Sequence, residues 1–231
     1  MIDIRLATTS EELNAVYNFR YTIYVEEMGQ NESYADHQHE RIVDTLGHPY
    51  AKVLAAWDGN TIVGTTRSNF VHDGSIDNYL GYYQLQHLSR EQLSKASIST
   101  RCMVHPAFRR TTLTARLVSE TYQRGLDEGL QTNYCDCAPH NIPFFTGLGY
   151  SVIDKDFVHP EFGLGSVMKL NMHDVDWLER VRSPFRKVLS THLSRQRKEV
   201  TPNDTRFISS LCQSNPFPYG CGLRFNDGPL F

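Results

Sequence analysis

The sequence has no apolar run near the roughly 18–20 residues that cross a bilayer as a helix. Nor has it an excess of positive charge. Its 23 Lys and Arg stand against 26 Asp and Glu, a formal net charge of -3, which argues against a general nucleic-acid surface. Cysteines are few and odd in number, five, without framework spacing. A disulfide scaffold is thereby excluded and reduced thiols are expected. There is no internal repeat and no low-complexity tract. The opening residues, MIDIRLATTSEEL, lack the basic and apolar regions of a signal peptide, so a cytoplasmic protein is the expectation.

What is present is ordinary for a globular chain. Hydrophobic residues make up 40% and charged residues 21% of 231 positions, enough to bury a core without metals or disulfides. Residues 2–7 alternate as a short strand. Thr9 with Glu12 forms a capping box, which predicts a helix running to about Met28 and stopped by Gly29. Residues 30–49 read as a polar loop or short irregular helix. The segments 50–57 and 61–71 flank Asp58-Gly59-Asn60, a hairpin signal.

A polar insertion, 72–96, with helical character near Tyr79–Leu88, precedes a strand over 97–106. A helix follows from about Thr111 to Glu128, then a strand at 132–138 and a short helix from Asn141 to Leu148. The last strands fall at 150–157 and 164–172. This order predicts one mixed, twisted α/β (α+β) sheet, with helices on both faces. Residues 1–173 form the expected domain. Residues 174–231 follow as a helix broken near Pro184 and an extended tail packed on that domain.

Several polar residues call for explanation. Arg20 and Glu27 fall on the helix face that carries Leu13, Val16, Tyr17, Ile23 and Tyr24, where charge is costly unless paired or used. Arg109 and Arg110 stand before a helix N-terminus, whose free N–H groups and dipole favour anions. Cys135-Asp136-Cys137 followed by His140 has the wrong spacing for a zinc site, and no metal is expected. Asp36-His37-Gln38-His39-Glu40 is metal-like in composition only and reads as a solvated loop. The basic residues from Lys187 to Lys198 suit either a solvated helix face or an acidic partner.

The element order, with VHPAFRRTTLTARLV followed some thirty residues on by NIPFFTGLGY, resembles the GNAT superfamily of N-acyltransferases over roughly residues 2–172. The N-terminal half is similar to its acyl-homoserine-lactone (autoinducer) synthases and closer to its long-chain N-acyl amino acid synthases. That likeness rests on Arg20, Tyr24, Glu27-Met28-Gly29, the acidic stretch to Asp44, and Ile62-Val63-Gly64-Thr65-Thr66-Arg67. The resemblance implies a mostly antiparallel GNAT-like sheet. It also implies an enzyme moving an acyl group from acyl carrier protein or acyl-CoA, as co-substrate, to the amine of an amino acid or similar small molecule. A plain acetyl-CoA-dependent N-acetyltransferase and a non-catalytic binding domain are the alternatives.

By the same resemblance Cys102 and Val104 lie where the thioester carbonyl is polarised, Arg109, Arg110, Thr111, Thr112 and Thr114 form the cofactor loop, and Asn141 meets the pantetheine arm. Arg20, Tyr24 and Arg67 would bind substrate. For deprotonating the amine the candidates are Glu27, placed first, with Asp44, His105 and Asp136. Arg101 joins Glu27 and Asp44 as an expected catalytic residue, and Arg20, Arg67 and Arg101 together suit a carboxylate. Salt bridges from Arg20 to Asp44 or Glu27 are the structural alternative.

The chain departs from the family pattern in three places. Threonines stand where loop glycines are usual, Phe145 stands where a tyrosine acid is usual, and Ile98 stands where the autoinducer pattern has glutamate.

Overall fold

The structure is a computed structural model of the chain. It describes residues 1–200 apart from 31–33, 45, 48, 75, 77, 160 and 162. The expected tail at 201–231 therefore lies outside the described residues. By internal contacts the chain divides into units Met1–His192 and Leu193–Phe231. The first unit holds the whole sheet and every candidate site residue.

The capping signals read from the sequence are made in three dimensions. Thr9 accepts from the Glu12 amide and Glu12 reaches back, starting helix α1, Ser10–Tyr21. The helix continues to the expected end, but as a π-helix over Thr22–Glu27, closed by Gly29 at φ +64°. A π-turn inserts about one residue into the helical register and so rotates later side chains by about 100°.

Strand β1, Asp3–Leu6, pairs with β4, Ala51–Asp58; two-residue strands β2, Ala35–Asp36, and β3, Arg41–Ile42, pair apart from the main sheet. The hairpin between β4 and β5, Thr61–Phe70, turns at Gly59, φ +61°. The insertion then carries short helices α2, Tyr79–Tyr82, and α3, Arg90–Ser94. Strand β6, Ala96–Val104, leads through a 3-10 turn to helix α4, Leu113–Asp127. Strand β7, Thr132–Cys137, helix α5, Ile142–Leu148, and strands β8, Ser151–His159, and β9, Gly163–Asn171, follow. Helices α6, Val175–Arg180, and α7, Phe185–Val200, complete the described chain, separated near Pro184 as the sequence indicated.

The main sheet has seven strands in the order β1-β4-β5-β6-β7-β9-β8, antiparallel except for β6 with β7. Helices cover both faces. On the front, Leu13, Val16, Tyr17, Phe19 and Ile23 of α1 pack on Val53, Ala55, Trp57, Ile62 and Met103. Beside them the insertion sets Ile76, Tyr83 and Leu85 on Ile98, Tyr134 and Val167. On the back, Leu113 and Leu117 of α4 pack on Leu54, Ala56, Val63 and Val104. Phe185 of α7 stacks on Tyr122 of α4, with centroids 4.3 Å apart. Burial of these side chains contributes roughly 1.5–3 kcal/mol each.

Two irregularities position the site. Thr65 pairs with Met103 but Arg67 with Thr100, so β6 carries a bulge at Arg101-Cys102. Arg101 holds φ +55°, a left-handed conformation that costs a non-glycine residue about 1–3 kcal/mol. Then β6 and β7 pair only from Ala96 with Thr132 to Ile98 with Tyr134. Beyond that point both strands continue, β6 to Val104 and β7 to Cys137, without pairing to each other. The sheet splits into a V.

Candidate active site

A cavity of about 760 Å³ fills the V and passes through the sheet, within the usual range for a small-ligand site. Its front wall is charged or phenolic, with Tyr24, Tyr79, Arg101, Asp136, His159 and Glu161. Its back wall carries no Asp, Glu, Lys or Arg from β6 and β7: Ser97, Ser99 and Asn133 lie near the crotch of the V, and Gly125, Leu148, Leu170, Met172 and Phe185 form an apolar floor.

Most of the expected front-face residues come together. Asp44 sits between two buried arginines. Arg67 Nη1 donates to its Oδ1, while Arg101 donates to its Oδ2 from Nε at 2.9 Å. Arg67 Nε also bonds Thr100 Oγ1 at 3.0 Å. Burial would raise the Asp44 carboxyl, but Arg67 and Arg101 outweigh it and hold it at about 2. Arg101 is further clamped by both carboxylate oxygens of Glu161 at 2.9 Å and by the Tyr34 hydroxyl, and it lies over the Tyr24 ring at 5.1 Å.

Arg20 is fully buried near Arg67, Asp44 and Arg101, with its guanidinium 5.6 Å from the Tyr17 ring centroid. Its nitrogens make no hydrogen bond among the described residues. Burial, then Arg67, lowers its pKa to about 9. The anticipated Arg20 link to Asp44 is thus electrostatic rather than a hydrogen bond.

Glu27 is a correction. The straight-helix reading placed it on the core-facing side with Arg20, but the π-turn carries it to the exposed end of the helix. There Arg109 grips it with both nitrogens, at 2.5 and 2.7 Å. Glu27 is thus paired with Arg109 and is not among the residues that line the cavity.

The loop expected to hold the cofactor is likewise engaged with itself. Arg109 Nε donates to the Val104 carbonyl at 2.9 Å, tying the loop to the end of β6. Thr111 donates its hydroxyl to Phe108 O and accepts the Leu113 amide, so it caps the helix instead of offering that hydroxyl proton to a phosphate. Arg110 and Thr112 are exposed, and Thr114 lines the cavity. Asn141 heads α5 without a side-chain capping bond and also lines the cavity. His105 spends Nδ1 on the Ala107 amide at 3.3 Å.

Cys102 lines the cavity from the bulge, where its side chain is solvent-accessible, yet the surrounding cavity walls push its thiol up to about 11. It is therefore a poor nucleophile near neutral pH. Phe145 packs edge-on against Tyr150, whose hydroxyl donates to Asn133 Oδ1 at 2.5 Å at the crotch of the V. Cys135 and Cys137, two apart on β7, share the buried back face. The His37–His39 segment is a turn in which Asp36 accepts from the His39 amide and from Arg41.

Sequence reasoning missed Tyr34, Tyr83, His159 and Glu161. His159 ends β8 and Glu161 follows it, in DFVHPEFG, where ionisable side chains were the only local signal.

Residues 19–119 match the family profile described as an acetyltransferase (GNAT) domain. That stretch is similar to a GNAT domain. No curated protein matches it. Among solved structures, the CoA-dependent acyl-homoserine lactone synthase BjaI, with SAM and isopentyl-CoA, aligns at TM-score 0.61 and 18% identity, over 80% of this chain and 90% of that one. FeeM, an N-acyl amino acid synthase from uncultured soil microbes, aligns at TM-score 0.60 and 14% identity, over 81% and 99%. Escherichia coli ElaA aligns at TM-score 0.52 and 16% identity, over 74% and 100%. At these identities the likeness shows the GNAT fold. Among the described residues, no helix is long and apolar enough to cross a membrane.

Proposed function

We propose that the GNAT domain transfers a medium or long acyl chain, from acyl carrier protein or acyl-CoA, to the amino group of an amino acid or similar small amine. The observation that carries this reading is the cavity through the split sheet, with charged groups gathered in front and an apolar floor of Leu148, Leu170, Met172 and Phe185 behind. An acetyl group needs no apolar chamber beyond the thioester. A fatty chain does, and burying it there contributes about 0.8 kcal/mol per methylene.

In this reading the thioester lies in the V, its carbonyl beside the free strand edge at Cys102–Val104, where backbone N–H groups polarise it. The pantetheine arm runs past Thr114 and Asn141. The acceptor enters from the front by Tyr24, and the network of Arg67, Arg101 and Asp44 sets the field there. Arg20, buried without a hydrogen-bond partner among the described residues, adds a positive charge that favours an acceptor carrying a carboxylate. The occupied loop of Arg109 and Thr111 favours a donor whose recognition rests on the pantetheine arm and chain.

BjaI, an acyl-homoserine lactone synthase, and FeeM, an N-acyl amino acid synthase, support this reading as fold relatives. Residues 174–231 are proposed to belong to the same functional domain.

The test is to incubate the purified full chain with acetyl-CoA, hexadecanoyl-CoA or hexadecanoyl carrier protein, against the twenty amino acids. Thiol release and product mass are followed together. Long-chain N-acyl product from either hexadecanoyl donor, with none from acetyl-CoA, is expected. Acetylated product alone reassigns the chain as a plain acetyltransferase. Folded protein that releases no amine-dependent thiol points to a binding domain.

A further inference from the structure

The reaction needs a neutral amine, and three of the four expected bases, Glu27, Asp44 and His105, are engaged elsewhere. Asp44 is neutralised by two arginines and Glu27 by Arg109. Ile98, where the autoinducer pattern has an acid, is fully buried under Tyr83 and Tyr134. One carboxylate on the cavity wall stands apart from that pairing.

We propose that Asp136 is the general base that takes the proton from the acceptor's ammonium group, positioned by Tyr83 and His159. This rests on the acyltransferase reading above. Asp136 lies on β7 two residues past Tyr134, the last residue paired with β6, so it projects from the front of the V where the strands have parted. Tyr83 donates its hydroxyl to Oδ1. His159 Nδ1 accepts the Glu161 amide at 3.1 Å, which places the proton of the neutral imidazole on Nε2. That Nε2 faces Asp136 Oδ2 at 3.7 Å, beyond a direct hydrogen bond, so Oδ2 keeps room for an ammonium proton. Glu161 in turn grips Arg101, linking the base to the rest of the front wall.

The surroundings favour this division of labour. The groups facing Asp136 are Tyr79 and Tyr83 from the insertion, His159 and Glu161 from the β8 end, Arg101 from β6, and its strand neighbours Cys135 and Cys137. Burial raises the proton affinity of Asp136, opposed by the Tyr83 hydrogen bond, and lowers that of His159. A carboxylate so raised is a better base than an exposed one.

The step balances. Asp136 Oδ2 takes one proton from R–NH3⁺. The freed nitrogen pair attacks the thioester carbon, forming C–N and placing the carbonyl π pair on oxygen. Collapse restores C=O and breaks C–S, the pair leaving on sulfur. Of the two protons that nitrogen sheds, one ends on the thiolate and one goes to solvent.

The test uses the full chain with hexadecanoyl-CoA and the amino acid that the pool experiment selects. Asp136→Asn is expected to lower kcat/KM by about 10²–10⁴-fold, to leave donor KM unchanged, and to abolish the acidic limb of the pH profile. Tyr83→Phe removes the hydrogen bond that lowers the carboxyl, so the limb moves to higher pH. His159→Gln, which keeps an N–H donor, recovers activity that His159→Leu loses. Asp136→Asn retaining more than a tenth of wild-type activity with its acidic limb intact overturns the proposal. If that variant does not fold, an unmoved limb in Tyr83→Phe does so. Wild type that makes no amide removes the acyltransferase reading and the base together, whereas active wild type with an equally active Asp136→Asn removes the base alone.

Discussion

The two sides of the split sheet are built from the same two strands and differ completely in character. Facing front, β6 and β7 present Ile98, Thr100, Arg101, Tyr134 and Asp136; facing back they present Ser97, Ser99, Cys102, Asn133, Cys135 and Cys137. The pleat alternates the two sets. The bulge at Arg101 re-aims the front set so that its guanidinium meets Asp44 and Glu161 at once. Charge from these two strands is thereby confined to the front, while the back keeps neutral groups and a thiol held at about 11. That thiol will not compete for the acyl group. One extra strand residue, with a fork in the sheet, suffices to give the two sides of one cavity a charged and an uncharged character.

The comparison is broken most severely by removing the front's central anion. Asp44→Asn leaves buried Arg67 and Arg101 short of a counter-charge, and a loss of about 3–5 kcal/mol is expected in urea unfolding. The sign with pH follows from the lowered carboxyl. The stability this pair contributes is fully present above about pH 4 and is lost as pH falls toward 2. Wild type should show that slope in acid melts and Asp44→Asn should lack it. Equal stability at pH 7 would mean the network is ornamental.

On the back side the sharpest change is Gly125→Leu. A Cβ at this position already meets the Met172 methyl at 2.8 Å, so a larger side chain must extend into the cavity that Gly125 lines. Against hexadecanoyl-CoA, kcat/KM is expected to fall about 10–200-fold, with butanoyl-CoA much less affected. A uniform loss across chain lengths would place the chain elsewhere.

How much of the fold and site was legible in the sequence depends on the range of the cause. The capping box at Thr9, the Asp58-Gly59-Asn60 turn and the stop at Gly29 are local chemistry, and each stands where the sequence put it. The grouping of Arg67, Arg101 and Asp44 was reached through family likeness. The π-turn at 22–27 and the bulge at Arg101 were not legible, because each is a one-residue slip imposed by packing, with no Gly or Pro to announce it. Tyr83, His159 and Glu161 reach the site from segments distant in sequence, which periodicity cannot join. Single-residue slips matter because they decide which side a charge faces.

Glu27 tests the effect of such a slip at the smallest scale. If the π-turn has carried it out of the front chamber, Glu27→Gln removes only a half-exposed pair with Arg109. Stability should change by no more than about 1 kcal/mol. Arg109, still fixed by the Val104 carbonyl, loses one partner at the mouth of the donor site, so donor KM is expected to shift a few-fold. The acidic limb of kcat/KM should stay where it is in wild type. Rate profiles recorded from pH 5 to pH 9 separate the outcomes. A vanished limb would return Glu27 to the role of base and leave Asp136 without one. A limb unmoved beside an altered donor KM would fix the front and back of the site as drawn from the fork in the sheet.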